Sequence, residues 1–152
     1  MDEPVRIDRA EMARDEFFKS SVNCAQTFFQ AFGELNEEAI RSVLPLGWAL
    51  GGGLAGKRQV CGALLGSLMV LGAELRFKRG LTSAQVTEVL QKFVEDFSER
   101  NQGLNCRDIA GPELSSEAVE KKCRPAVYAT ALEVERILQK YLPQPASGEN
   151  AK

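Results

Sequence analysis

The stretch from Gly51 to Gly72, GGGLAGKRQVCGALLGSLMVLG, constrains the fold more than any other part of this 152-residue chain. A glycine-rich loop leads through two cations to Cys61, and no further charged residue follows until Glu74. A helix that is apolar on nearly every side is buried on nearly every side. The sequence therefore predicts a central buried helix that starts near Lys57–Gln59, just before Cys61, and runs to about Arg79.

Helical periodicity also dominates the rest of the chain, and no segment alternates with the period of two that is typical of a strand. Four of the predicted helices cover about residues 8–20, 21–32, 82–101 and 125–142. A further helix is expected to begin after Asn36, which caps it, and to be interrupted by Pro45. A short helix is expected from Ser115 or Ser116 toward Cys123. We expect an all-α fold, a compact single-domain bundle of about five to seven helices over residues 1–142. A disordered tail is expected over 143–152.

Composition excludes several classes of function. The net charge of −2 gives no electrostatic footprint for nucleic acid. The chain has no histidine, so catalytic triads with histidine and mixed histidine–cysteine metal sites are excluded. No apolar run reaches the ~18–20 residues that a membrane span requires. The charged N-terminus does not resemble a signal peptide, and we therefore expect a cytoplasmic protein.

Cys61 is the strongest candidate for a reactive residue. At the start of a helix, unpaired N–H groups and the helix dipole favour an anion. Lys57 and Arg58, one turn earlier if the helix includes them, would stabilise a thiolate further. These neighbours predict a pKa below the ~8.5 of a free cysteine. The alternative is a buried cysteine that only fills space.

Glycines on both sides of Cys61 predict two further roles. The loop glycines can present backbone amides to an anionic group; they are Gly51, Gly52, Gly53 and Gly56. Gly62 and Gly66 lie four residues apart and allow another helix to pack closely. Close packing is either their sole purpose or the means by which Cys24 comes within reach of Cys61.

The other three cysteines differ in their local sequence. Cys24 falls on the apolar side of a predicted helix and, taken alone, is better explained by core packing. Cys106 lies in a polar loop and is predicted to be accessible, with Asn105 or Asp108 capping the turn that follows. Cys123 stands among lysine and arginine just before a helix start, which favours a thiolate but also fits a solvated basic turn.

Two kinds of chemistry remain open for four cysteines in a reducing compartment. The thiols can form reversible disulfides and exchange electrons with a substrate or another thiol system. Alternatively, Cys24, Cys61, Cys106 and Cys123 can bind zinc or an iron–sulfur cluster as ligands. No C-x-x-C pair is present, which argues strongly against structural zinc and less strongly against a cluster.

The order of these motifs resembles a known family. CGALLG at residues 61–66 matches the CGAxxG motif of the C_GCAxxG_C_C family, whose name transposes the motif's first two letters. Cys24 in NCAQ, Cys106 in NCRDIAG and Cys123 in KKCRPAV match its other three cysteines, and the resemblance extends to about Leu138. It implies redox activity that depends on the four cysteines. Members often lie near transporter genes, which implies association with a transporter; no substrate, redox partner or cofactor is implied.

The leading hypothesis is thus a thiol-dependent oxidoreductase or electron-transfer protein. Cys61 is the predicted activated thiolate, Cys24 its nearest partner, and Cys106 with Cys123 the second pair. The ligand interpretation, with zinc or an iron–sulfur cluster as cofactor, is the alternative. A third hypothesis, a helical protein that only docks to a transporter, predicts that cysteine-to-serine variants keep their function.

Overall fold

The computed structural model describes residues 8–19, 22–33 and 37–142. The α-helices within these ranges are α1 (Arg9–Lys19), α2 (Gln26–Ala31), α3 (Glu37–Leu46), α4 (Gly62–Ala73), α5 (Ser83–Asn101), α6 (Cys106–Ala110), α7 (Ser116–Ala118) and α8 (Arg124–Lys140). A 3-10 turn over Gly47–Leu50 extends α3, and a π-helical turn over Glu74–Lys78 extends α4. Another π-helical turn over Val119–Cys123 joins α7 to α8. The predicted tail over 143–152 and the predicted caps Ser20, Ser21 and Asn36 lie outside the described residues.

The described residues form seven uninterrupted helical segments and no β-strand, which confirms the predicted all-α bundle. α4 packs against α2, α5 and α8, while α1 covers α2 and α8. Leu64 and Leu71 of α4 and Leu75 of the following turn are almost fully buried. The apolar helix therefore occupies the centre of the bundle, as its composition predicts. The capping box of Thr82 and Gln85 opens α5 as expected.

The loop that precedes α4 is wound in the left-handed sense. Its φ angles are +63° at Gly52, +75° at Gly53, +64° at Leu54, +52° at Ala55 and +74° at Gly56. Glycine tolerates this region, whereas a residue with a Cβ is destabilised there by about 1–2 kcal/mol. Arg58 has φ of +63° as well. The prediction that the helix starts at Lys57–Gln59 is therefore wrong, because a right-handed helix cannot include Arg58; α4 starts at Gly62.

The end of this loop pairs with the segment that leads into α6. The Cys61 amide donates to the Leu104 carbonyl at 2.8 Å, and the Cys106 amide donates to the Gln59 carbonyl at 2.6 Å. Val60 and Asn105 form a single antiparallel bridge between these two hydrogen bonds. The backbone thus holds Cys61 and Cys106 on either side of one bridged residue pair, although 45 positions separate Cys61 from Cys106 in the sequence.

Replacing Ala55 with glycine is expected to stabilise the protein by about 1 kcal/mol, because glycine removes the steric cost of the left-handed conformation. Ala55 is exposed, so the change leaves no cavity. Ala129→Gly in the interior of α8 is the matched control and is expected to destabilise by about 1 kcal/mol. Urea unfolding measures both. Equal destabilisation by the two substitutions would contradict the left-handed geometry at Ala55.

Candidate four-cysteine site

All four cysteines line one cavity of about 240 Å³. Each one comes from a different part of the chain, and all four are free thiols. The apolar side chains that complete the wall belong to Phe17, Ala63, Ile109, Leu114, Val119, Ala126 and Val127. The fold therefore gathers into one place four thiols that lie as much as 99 positions apart in the sequence, Cys24 and Cys123 being the most distant.

Cys24 lies in the turn just before α2, whereas the sequence predicts that it lies on the helix itself; that prediction is wrong. Asn23 fixes this turn, because its side-chain oxygen accepts from the amides of Ala25 at 3.0 Å and Gln26 at 2.9 Å. Its side-chain nitrogen donates to the carbonyls of Gly47 and Trp48. Asn23 is a positioning residue that the sequence analysis missed; an asparagine directly before a helical apolar stripe was the signal that could have found it.

Close contact between α4 and the start of α2 brings Cys24 to the beginning of α4. A Cβ added at Gly62 would meet the Cys24 sulfur, and one added at Gly66 would lie 2.5 Å from the Ala25 carbonyl oxygen. Neither position has room for a methyl group. The two glycines therefore let the backbone of α4 approach the turn that carries Cys24, with Cys61 directly before Gly62.

Cys61 is the N-cap residue of α4 and is only 8% exposed. Burial and, to a smaller extent, the neighbouring Cys24 thiol raise the pKa of its thiol to about 12, although the amides of Leu64 and Ala63 act in the opposite direction. The prediction of a lowered pKa for Cys61 is therefore wrong. Desolvation in an apolar interior raises the pKa by more than the helix start lowers it. The two cations that the sequence predicts at Cys61, Lys57 and Arg58, lie elsewhere.

Arg58 contacts Cys106 rather than Cys61. Its guanidinium donates a hydrogen bond to the Cys106 sulfur at 3.3 Å and another to the Gly111 carbonyl. The loop conformation turns the Arg58 side chain across to α6. Lys57 is exposed and belongs to the outer part of the loop, before the turn into α4. The predicted pair of cations at Cys61 is thus divided, with Arg58 at a different thiol.

Cys106 is the first residue of α6, which the capping box of Asn105 and Asp108 opens. Its side chain is buried, at 7% exposure, so the predicted accessible loop position is wrong. Packing of the polar connection against the left-handed loop covers the thiol. Burial raises the pKa of Cys106, and the Arg58 guanidinium lowers it in part.

Cys123 ends the π-helical turn before α8 and is half-buried. Burial raises the pKa of its thiol to about 11, with the Cys106 and Cys24 thiols adding to the increase; Arg58 and Lys122 lower it in part. Burial also raises the pKa of Cys24, although the amide of Gly52 acts against it. All four thiols therefore hold their protons at neutral pH.

The glycine loop uses most of its amides internally. The Gly51 amide donates to the Trp48 carbonyl and the Gly56 amide to the Gly51 carbonyl. The Gly52 amide is directed at the Cys24 sulfur. A Cβ added at Gly53 would lie 2.7 Å from that of Cys106. Gly51 and Gly56 therefore have no amide left for an anion, and Gly52 and Gly53 allow the loop backbone to lie against the thiols.

The ligand interpretation requires at least three donor side chains around one point. In the part of the chain that the structure describes, which contains all four cysteines, no three cysteine, aspartate or glutamate side chains come together closely enough to hold a metal ion. The four sulfurs share a cavity wall without forming such a set of ligands.

Fold and site together define a helical protein with a four-thiol cavity. The model of the C_GCAxxG_C_C family, described as "Putative redox-active protein", matches residues 22–137, about three quarters of the chain. The chain belongs to this family. No curated protein and no solved structure matches it. Among the residues that the structure describes, no helix combines the length and apolar character that a membrane crossing requires.

Proposed function

We propose that the protein is a thiol–disulfide redox protein in which the four cysteines cycle between two dithiols and two disulfides. The observation that carries this proposal is the single cavity that all four thiols line. Four thiols around one cavity exceed what core packing requires, and the shared cavity gives them access to one another and to a small reactant.

The electrostatic neighbours of the thiols support a pairing of Cys24 with Cys61 and of Cys106 with Cys123. Among the other thiols, Cys24 has the largest effect on the pKa of Cys61, whereas Cys106 has the largest effect on the pKa of Cys123 and on that of Cys24. The contact of Gly62 with the Cys24 sulfur supports the first pair. In each pair two S–H bonds break and one S–S bond forms, and two electrons and two protons pass to an acceptor.

Cys106 is proposed as the first thiol to react. The hydrogen bond from Arg58 at 3.3 Å stabilises a negative charge on its sulfur. The thiolate is the reactive form of a cysteine, so a nearby cation that is held in place favours reaction there. Cys123 then closes the disulfide, and another thiol system reduces the disulfide again by exchange.

Mild oxidation of the reduced protein is expected to remove free thiols in pairs, from four to two and then to none. Titration with a thiol reagent counts them, and peptide mapping identifies the partners. Cys106→Ala is expected to leave the Cys24–Cys61 disulfide intact and Cys123 reduced. Cys61→Ala is the matched variant and reverses this pattern. Loss of thiols one at a time, through oxygenated products, would contradict the proposal.

Purification without oxygen separates this function from the ligand interpretation. Stoichiometric iron or zinc that is lost in both Cys106→Ala and Cys61→Ala would overturn the proposal. A metal-free protein that keeps four titratable thiols supports it.

A further inference from the structure

We infer that the four-thiol cavity takes an uncharged, apolar acceptor of single-ring quinone type, which it reduces by two electrons to the hydroquinone. This inference rests on the proposed function, since it names the substrate class for the same thiols. It follows from the size, the polarity and the proton supply of the cavity.

The size of the cavity suits one substituted ring. An apolar cavity of ~150 Å³ accommodates benzene. The four-thiol cavity, at about 240 Å³, leaves room for a ring with several small substituents. Phe17, Val127 and Ile109 supply aromatic and aliphatic surface for its faces.

The polarity of the cavity disfavours a charged reactant. Among the described residues that line it, none carries a charge, and Arg58 approaches Cys106 from outside this lining. Asn23 is the one polar side chain besides the thiols in that set, and both ends of its amide are already bonded to backbone. A carboxylate or ammonium group would enter without a partner, at a cost of several kcal/mol.

The mouth of the cavity is apolar as well. Leu114 is 46% exposed and contributes to the wall. Leu114 lies in the stretch between α6, which begins with Cys106, and α7, which leads to Cys123, and it lines the same cavity as these two thiols. An exposed leucine at this point offers an incoming apolar molecule a surface that excludes water.

The thiols also supply the protons that the reaction needs. Reduction of a quinone converts two carbonyl oxygens to hydroxyl groups and requires two electrons and two protons. When two S–H bonds break and one S–S bond forms, the dithiol supplies the two electrons and the two protons, so the reaction needs no other acid. Burial raises the pKa of Cys106 and Cys123, which keeps these protons in place until the acceptor arrives.

Duroquinone, whose four methyl groups block addition to the ring, is the probe. Anaerobic mixing of the reduced protein with duroquinone is expected to consume one quinone per disulfide, at a rate that saturates with quinone concentration. A trimethylbenzoquinone that carries a propionate in place of one methyl group is expected to react at least tenfold more slowly. Both rates are normalised to those of a free dithiol. Equal normalised rates for the two quinones would overturn the inference.

Leu114→Asp places a charge at the mouth of the cavity without removing a thiol. It is expected to slow the reduction of duroquinone about tenfold. Leu132→Asp, the matched control, places the same charge on an exposed leucine that does not line the cavity, and it is expected to react like the unmodified chain. Failure of Leu114→Asp to slow the reaction would also overturn the inference. The comparison of the two quinones uses the unmodified chain and therefore holds even if Leu114→Asp does not fold.

Diamide, a general thiol oxidant, separates this inference from the proposed function. If diamide removes the thiols in pairs but the protein shows no preference for duroquinone, the proposed redox function is supported and the quinone inference is contradicted. Absence of paired loss with diamide removes the proposed function itself.

Discussion

Replacing Gly66 with alanine is expected to destabilise the protein by about 2–3 kcal/mol, a fall in Tm of roughly 5–10 °C. The new Cβ would lie 2.5 Å from the carbonyl oxygen of Ala25 and 2.9 Å from its Cα. These are backbone atoms, so no side chain can rotate away and α2 has to shift from α4. Because Cys24 directly precedes Ala25, the shift also moves one thiol away from the cavity. Thermal unfolding measures the first effect, and the rate of disulfide formation between Cys24 and Cys61 measures the second.

Gly72, in the same helix, provides the control. A Cβ added there would lie 3.8 Å from Leu90 Cδ1, which is an ordinary contact. Gly72→Ala is therefore expected to stabilise the protein by up to about 1 kcal/mol, through helix propensity alone. The same glycine-to-alanine substitution is thus expected to lower the free energy of unfolding at Gly66 and to raise it at Gly72, although both positions lie in α4. Destabilisation of similar size at both would show that the α2–α4 approach is not the cause.

The reduced protein is expected to lose stability steeply as the pH rises from about 9 to 12, because of Cys61. In the unfolded chain this thiol ionises near its ordinary pKa of 9.0, whereas burial raises the pKa in the folded protein to about 12. Between these values the unfolded state binds fewer protons than the folded state, so the free energy of unfolding falls with rising pH. Below pH 9 both states keep the proton, and the contribution is constant.

The variant Cys61→Ala isolates this contribution. Urea unfolding of both proteins at pH 7 and pH 11, with the thiols kept reduced, measures their difference in stability. From pH 7 to pH 11 the unmodified protein is expected to lose about 2–3 kcal/mol more than Cys61→Ala. Groups outside the four-thiol cavity contribute equally in both proteins and cancel. A difference that does not change with pH would mean that Cys61 ionises in the folded protein as readily as in the unfolded chain.

The high pKa values also change which residue is expected to begin the chemistry. The sequence favours Cys61 because it stands at a helix start after two cations. In the structure Cys61 is buried among Cys24, Leu64 and Ala63, and Arg58 instead donates to Cys106. Reactivity toward an alkylating agent therefore ranks the thiols by burial and by Arg58, not by their neighbours in the sequence.

Much of the fold was predictable from local pattern. The apolar composition of residues 60–73 predicted the central helix, and Thr82 with Gln85 predicted the start of α5. Both signals act over a few residues, within one helix or one cap. The start of α4 was not predictable in this way, because Leu54, Ala55 and Arg58 adopt positive φ only when the loop packs against the chain near Cys106.

The sequence by itself determined that this chain forms helices, that one of them is buried, and that its cysteines follow the family signature, since these properties depend on residue type and spacing. Only the tertiary structure decided what surrounds each sulfur. The contact of Arg58 with Cys106 joins residues 48 positions apart, and the approach of Cys24 to Gly62 joins residues 38 positions apart. Desolvation of the thiols depends on many neighbours at once. The pKa of a thiol responds to this surrounding volume, which packing creates and local spacing does not encode.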